Sequence, residues 1–191
     1  GNFGAKQVIF SSASAKTAYA AAQLMKARGQ VKVIGLTSPG NAGYVKDLGF
    51  YDEVRAYDPI DAMDGSVPSV FIDIAGNADV RAAVHRRLAD NLKYSCAVGA
   101  THWDAPRGDA ALAGPQPQMF FAPDVVKKRL ADWGPAEFQS RIAAAWRAFL
   151  PTAARTTRVV EGKGLAEAAR VFADLAGGRA RPKDGHVIRL A

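Results

Sequence analysis

Val8-Ile9-Phe10-Ser11-Ser12-Ala13-Ser14-Ala15-Lys16-Thr17-Ala18-Tyr19-Ala20-Ala21-Ala22-Gln23-Leu24-Met25-Lys26-Ala27-Arg28-Gly29 is the stretch that decides the fold. An unbroken apolar run leads into a turn of small and hydroxylated residues, and the turn into an Ala-rich segment. The run shows no polar alternation, as expected of a strand covered on both faces. The Ala-rich segment from Lys16 to Arg28 has helical periodicity and reads as a helix. Strand, tight turn and helix in this order open a βαβ unit.

The same alternation continues outward. Residues 7–11, 31–36, 53–57, 69–74 and 94–98 read as strands, and 16–28, 41–48 and 78–92 as helices. Strands and helices taking turns imply right-handed crossovers and a parallel sheet. Residues 104–118, with Pro106, Gly108, Gly114, Pro115 and Pro117, read as a loop. Beyond it, 118–121 is a short strand, 122–133 and 135–149 are helices, 156–160 a strand, 165–175 a helix and 186–190 the last strand. The expectation is one α/β domain over residues 1–191, a Rossmann-like three-layer sandwich. Its mostly parallel sheet has six or more strands, completed by the last ones.

Composition narrows the function classes. Hydrophobic residues are 49% and charged ones 23%, an ordinary globular balance. No apolar run approaches the roughly 20 residues of a membrane span. Gly1-Asn2-Phe3-Gly4 lacks the features of a signal peptide, so a cytoplasmic location is expected. The single Cys96 excludes an intrachain disulfide and a multi-cysteine zinc site. Of the net charge of +7, residues 124–191 supply most, with 13 Lys/Arg against 7 Asp/Glu. Those cations alternate with apolar residues at helical spacing, which reads as solvated helix faces and not as a nucleic-acid surface.

The turn after the first strand is where a doubly wound sheet binds its ligand. A Walker phosphate loop needs glycine at positions 10 and 15, which hold Phe10 and Ala15. The dinucleotide pattern G-x-G-x-x-G, laid on positions 13, 15 and 18, finds Ala13, Ala15 and Ala18. Alanine keeps helix and strand close but adopts positive φ poorly, so the turn must differ from a glycine-rich one. Ser11, Ser12, Ser14, Lys16 and Thr17 supply donors where a helix N-terminus attracts an anion. A plainer reading stands beside this one: Ser12 or Ser14 caps the helix and Lys16 is solvated.

The wider stretch resembles the quinone-reductase branch of the medium-chain dehydrogenases/reductases. Gln23, Leu24, Lys26 and Gly29 fall in register, as do residues 33–38, 44–49 and 52–54 with Tyr57-Asp58. Residues 70–76, 97–101 and 185–189 match the family's fourth, fifth and final strands. The match is closest to a bacterial family of unknown function. The resemblance implies a pyrophosphate along Ser12, Ala13, Ser14, Ala15, Lys16 and Thr17, and an adenosine ribose at Thr37, Ser38 and Asn41. Ala75, Gly99, Thr101 and His102 join the cofactor-binding set at the ends of the fourth and fifth strands. No acid closes the second strand, which favours NADP over NAD as the cofactor and argues against an S-adenosylmethionine site.

The resemblance also implies a barrel-like catalytic domain ahead of Gly4 that this chain omits, and a homodimer through an edge at Met119-Phe120-Phe121. It leaves the small-molecule substrate unknown, with quinones or enones as candidate classes. No catalytic residue is assigned. His102 is either near a bound nicotinamide or a loop residue beside Trp103. His85 reads as solvated between charged neighbours, His186 as structural, Cys96 as a buried small hydrophobe, and Asp73 as a buried carboxylate that needs a partner. No tyrosine has a lysine four residues on, which excludes short-chain dehydrogenase chemistry. Two readings stand: an NADP-dependent oxidoreductase domain, and a Rossmann-like scaffold that no longer binds a dinucleotide.

Overall fold

The computed structural model describes residues 2–74, 76–99 and 112–190. The chain divides into two compact units, Gly1–Val125 and Val126–Ala191. The first unit runs β1 (Gln7–Phe10), α1 (Lys16–Arg28), β2 (Lys32–Thr37), α2 (Ala42–Leu48), β3 (Glu53–Ala56), β4 (Ser69–Asp73), α3 (Ala78–Leu88), β5 (Leu92–Ala97) and β6 (Gln118–Met119). All six strands are parallel, in the order β3-β2-β1-β4-β5-β6. The sequence-derived Rossmann-like α/β sandwich is therefore the fold.

β1 holds the centre. Every one of its residues is buried, and it pairs with β2 on one side and β4 on the other. On one face Ile9, Ile34, Leu36 and Phe71 pack with Val84 and Leu88 of α3 and with Ile60 and Met63. On the other lie the buried Ala18, Tyr19 and Ala22 of α1 and Val45 and Leu48 of α2, with Phe10 edge-on to Tyr51. α1 and α2 both end on a left-handed glycine, Gly29 at φ 62° and Gly49 at φ 73°. In β2, Gly35 lets the chain pass close beneath the first turn: a Cβ there would sit 2.8 Å from the Ala13 Cβ and 2.9 Å from the Tyr51 ring.

A long helical stretch, α4 (Ala122–Thr156), begins at the end of the first unit, continues into the second and is broken at Gly134, where φ is 76° and ψ 163°. The break separates the two helical segments expected from the sequence, the second running on to Thr156. Trp133 lies at the break between the guanidinium groups of Arg129 and Arg141, at 4.9 and 4.3 Å. Next come β7 (Arg158–Lys163), α5 (Gly164–Ala176) and β8 (Asp184–Arg189). The expectation that these last strands extend the main sheet is corrected. β7 and β8 pair in parallel with each other in a separate two-stranded sheet.

A second correction concerns His85, expected to be solvated. It is fully buried, edge-on to Phe71. Its Nδ1 lies 2.9 Å from the Ala113 carbonyl, which can only accept, so Nδ1 carries the proton. Nε2, 2.9 Å from Ser95 Oγ, then accepts from that hydroxyl. Burial pushes its pKa below the ordinary imidazole value, with Arg81 adding to the effect and the Ala113 bond and Asp73 opposing it.

Two expected outcomes follow from this packing. Because the folded protein binds the His85 proton less readily than the unfolded chain, stability is complete above about pH 6.5 and falls as the pH drops below it. Urea unfolding at pH 7.5 and 5.5 should show a loss of at most about 1.4 kcal/mol per pH unit from this group, and His85→Gln should remove it. Gly35→Ala should destabilise by about 1–3 kcal/mol, since neither the turn nor the buried tyrosine ring can give way freely. A urea midpoint equal to that of the wild type would contradict the packing described for Gly35.

Candidate functional site

Beyond the carboxyl ends of β1 and β4, where strand order reverses, the chain leaves toward α1 on one face of the sheet and α3 on the other, the crevice in which open α/β sheets bind ligands. Its first wall is the turn from β1 to α1. Ser11 stays in the sheet, its N–H donating to the Ile72 carbonyl at 3.0 Å. The Ala13 N–H donates to the Leu36 carbonyl at 2.9 Å and that of Ala15 to the Ser12 carbonyl at 2.8 Å. The Tyr51 hydroxyl donates to the Ala13 carbonyl at 2.9 Å, and burial pushes this phenol well above its usual pKa, so it stays a donor.

This geometry answers how alanine replaces glycine. None of Ala13, Ala15 and Ala18 takes a positive φ. Ser12 takes it instead, at 46°, a strain of about 1 kcal/mol for a residue with a side chain. Ala13 is completely buried against Gly35 and Tyr51, which explains why the position must be small. The N-cap of α1 is Ala15, with no side-chain cap, so neither Ser12 nor Ser14 plays the capping part that the plainer reading gave them. Lys16 and Thr17 are exposed at the start of the helix, while Ser14 and Ala15 are half-buried.

The β2 and β3 ends close over this turn. Asn41 Nδ2 reaches Ser14 Oγ at 3.4 Å. Ser38 and Asn41 are half-buried in the loop after β2, whereas Thr37 lies inside, 1% exposed, its carbonyl accepting from the Tyr57 N–H at 3.0 Å. Tyr57 is a member the local reading missed. Its hydroxyl accepts from the Ser12 N–H at 2.8 Å and lies 3.2 Å from Ser12 Oγ. In the sequence Tyr57 is marked by the family resemblance alone; no local pattern shows that its hydroxyl reaches the Ser12 turn.

The second wall is the end of β4. Asp73 is 1% exposed; its Oδ1 accepts from Ser11 Oγ at 2.8 Å and from the Gly76 N–H at 3.0 Å. Oδ2 pairs with Arg81 Nη1 at 3.2 Å, the partner the buried carboxylate needs. Asn77 caps α3, its side chain accepting from the Val80 N–H at 3.0 Å. Gly99 is a close-approach glycine: a Cβ there would meet the Ile74 carbonyl oxygen at 2.1 Å. Ala75, Thr101 and His102 lie outside the described residues. Cys96 is buried as expected, and burial raises its thiol pKa. Among the described residues there is no cluster able to hold a metal ion, and no helix is long and apolar enough to cross a membrane.

The turn, the β2 loop and the β4 end thus lie at the same edge of the sheet, and proteins of known structure share this fold. CurA from Vibrio vulnificus, solved in complex with NADPH, matches with a TM-score of 0.62 at 16% identity, over 98% of this chain and 57% of that one. YhdH from E. coli K-12 with bound NADPH matches with a TM-score of 0.62 at 16% identity, over 97% and 55%. The quinone oxidoreductase from Coxiella burnetii gives 0.61 at 18% identity, over 97% and 53%. The quinone-reductase resemblance read from the sequence is thus matched by the fold, and the chain spans just over half the length of each of these proteins. A comparison with curated proteins finds no match. The model of a protein family of unknown function, DUF2855, matches residues 1–181, and the chain belongs to that family.

Proposed function

We propose that this domain binds NADPH in the crevice between β1 and β4 and serves as the cofactor half of an oxidoreductase acting on quinones or α,β-unsaturated carbonyls. The observation that carries the reading is the N-terminus of α1. It opens on the crevice with no side-chain cap, and Ser12, Ser14, Lys16 and Thr17 lie around it. Uncapped helix amides and a cation are the donor set that a pyrophosphate requires. Ser38 and Asn41 offer neutral donors at the β2 end, which suit a 2′-phosphate better than an acid would. NADPH-bound proteins of the same fold add support.

When bound, the cofactor supplies a hydride; this chain's residues bind and orient it. Lys16 and the first-turn amides of α1 hold the pyrophosphate, and Asn41, kept near Ser14, meets the ribose end. Tyr57 holds the Ser12 backbone in its left-handed conformation and so fixes the shape of the turn. That same bond is what favours the scaffold reading: one turn amide is already engaged by the protein's own hydroxyl.

Calorimetry separates the two readings. NADPH should bind several-fold more tightly than NADH, and Lys16→Ala should weaken NADPH about tenfold, the scale of one charge-assisted hydrogen bond. If folded protein gives no heat with either nucleotide, the dinucleotide reading fails and the scaffold reading stands.

We also propose a homodimer through the β6 edge, where Met119, Phe120 and Phe121 are 73, 42 and 58% exposed. An exposed apolar sheet edge is a surface for pairing with a second copy. Sedimentation equilibrium should give twice the chain mass for the wild type and a monomer for Phe120→Glu; a monomeric wild type would rule the dimer out.

A further inference from the structure

The two walls of the crevice are joined by a buried network that hydride transfer does not by itself require. Ser11 Oγ is used twice: it donates to Asp73 Oδ1 at 2.8 Å and accepts from the Ile74 N–H at 2.8 Å. Asp73 Oδ1 also accepts from the Gly76 N–H at 3.0 Å. One carboxylate therefore ties the first residue after β1 to the turn after β4. Both Ser11 and Asp73 are sealed from solvent.

A buried carboxylate keeps such a geometry only with a counter-charge, because losing the partner leaves a lone ion in a poorly polarisable setting. Arg81 provides it, its Nη1 3.2 Å from Asp73 Oδ2 and its side chain 19% exposed. Arg81 stands one turn into α3, near the positive end of that helix, where a cation gains nothing from the dipole. The helix dipole does not favour an arginine there, whereas the reach to Asp73 does. No other ion pair of Asp73 occurs among the described residues.

We propose that Arg81 is a positioning residue of the crevice: by holding the Asp73 carboxylate it fixes the spacing between the Ser11 wall and the Gly76 wall, and with it affinity for a pyrophosphate-bearing nucleotide. The affinity part rests on the NADPH reading; the coupling of the walls does not. Arg81 touches no ligand in this account and acts through Asp73 alone.

The test uses the full chain with Arg81→Gln, and with Arg81→Gln combined with Asp73→Asn. In the double variant a neutral amide pair replaces the ion pair, while a side-chain carbonyl at 73 can still accept from Ser11 and Gly76. Amide hydrogen exchange and NADPH titration are both read. In Arg81→Gln, the Ile74 and Gly76 amides should exchange at least tenfold faster while the β1–β2 ladder is unchanged, and the NADPH Kd should rise about tenfold. The double variant buries no unpaired charge, so it folds even where the single one does not. It should return both readouts to within about threefold of the wild type.

Wild-type protection at Ile74 and Gly76 in folded Arg81→Gln overturns the proposal, whatever NADPH does. So does a loss of protection spread evenly over the sheet, or a double variant that recovers neither readout. A wild type that shows the protected amides but binds no NADPH sinks the cofactor reading, and the exchange data then decide the wall coupling.

Discussion

β1 is paired on both sides and buried on both faces, and the rest of the first unit follows from that constraint. A strand so enclosed must be apolar throughout, and Val8-Ile9-Phe10 is. Its neighbours must reach it by crossovers, so α1 covers one face on the way to β2 and α3 lies on the other between β4 and β5. Because the chain leaves β1 for β2 on one side and returns to β4 on the other, the connections that follow β1 and β4 part to opposite faces. The crevice is a consequence of topology.

That turn departs from the glycine-rich solution in a way the geometry makes intelligible. Glycine at the three fingerprint positions would permit left-handed backbone; here the left-handed residue has moved to Ser12, and the alanines sit in ordinary conformations. The displaced strain is held by a long-range contact, the Tyr57 hydroxyl on the Ser12 amide. Gly35 completes the arrangement by giving Ala13 room. The small-residue requirement has thus been divided between two strands instead of being concentrated in one loop.

Much of this was legible in sequence because it is local or periodic. The five strands up to residue 98 and the helices between them were readable from apolar runs, Ala-rich periodicity and glycine stops, and the short strand at 118–119 from three apolar residues after a Pro-rich loop. What was not legible is long-range. Nothing in Val159-Val160 or Val187-Ile188 says which strand they pair with, so β7 and β8 were assigned to the wrong sheet. His85, between Arg81 and Arg86-Arg87, has the look of a solvated residue; only the positions of Ser95 and Ala113 make it a core one. Asp73 could be seen to need a partner, but Arg81 could not be named without knowing where α3 begins relative to β4. Tyr57 reaches Ser12 across 45 residues of chain. Of the residues chosen by pattern, Asn41 meets Ser14, while Thr37 lies inside the fold.

The central claim is that the opening of α1 onto the β1–β4 crevice is a dinucleotide site. It is tested most directly by following backbone amide chemical shifts of the whole chain during titration with NADPH. The account predicts saturable shifts concentrated on Ser12 to Ala18, Ser38 to Asn41, Tyr57 and Gly76. Saturable shifts centred elsewhere, or no shifts in well-folded protein, would contradict it.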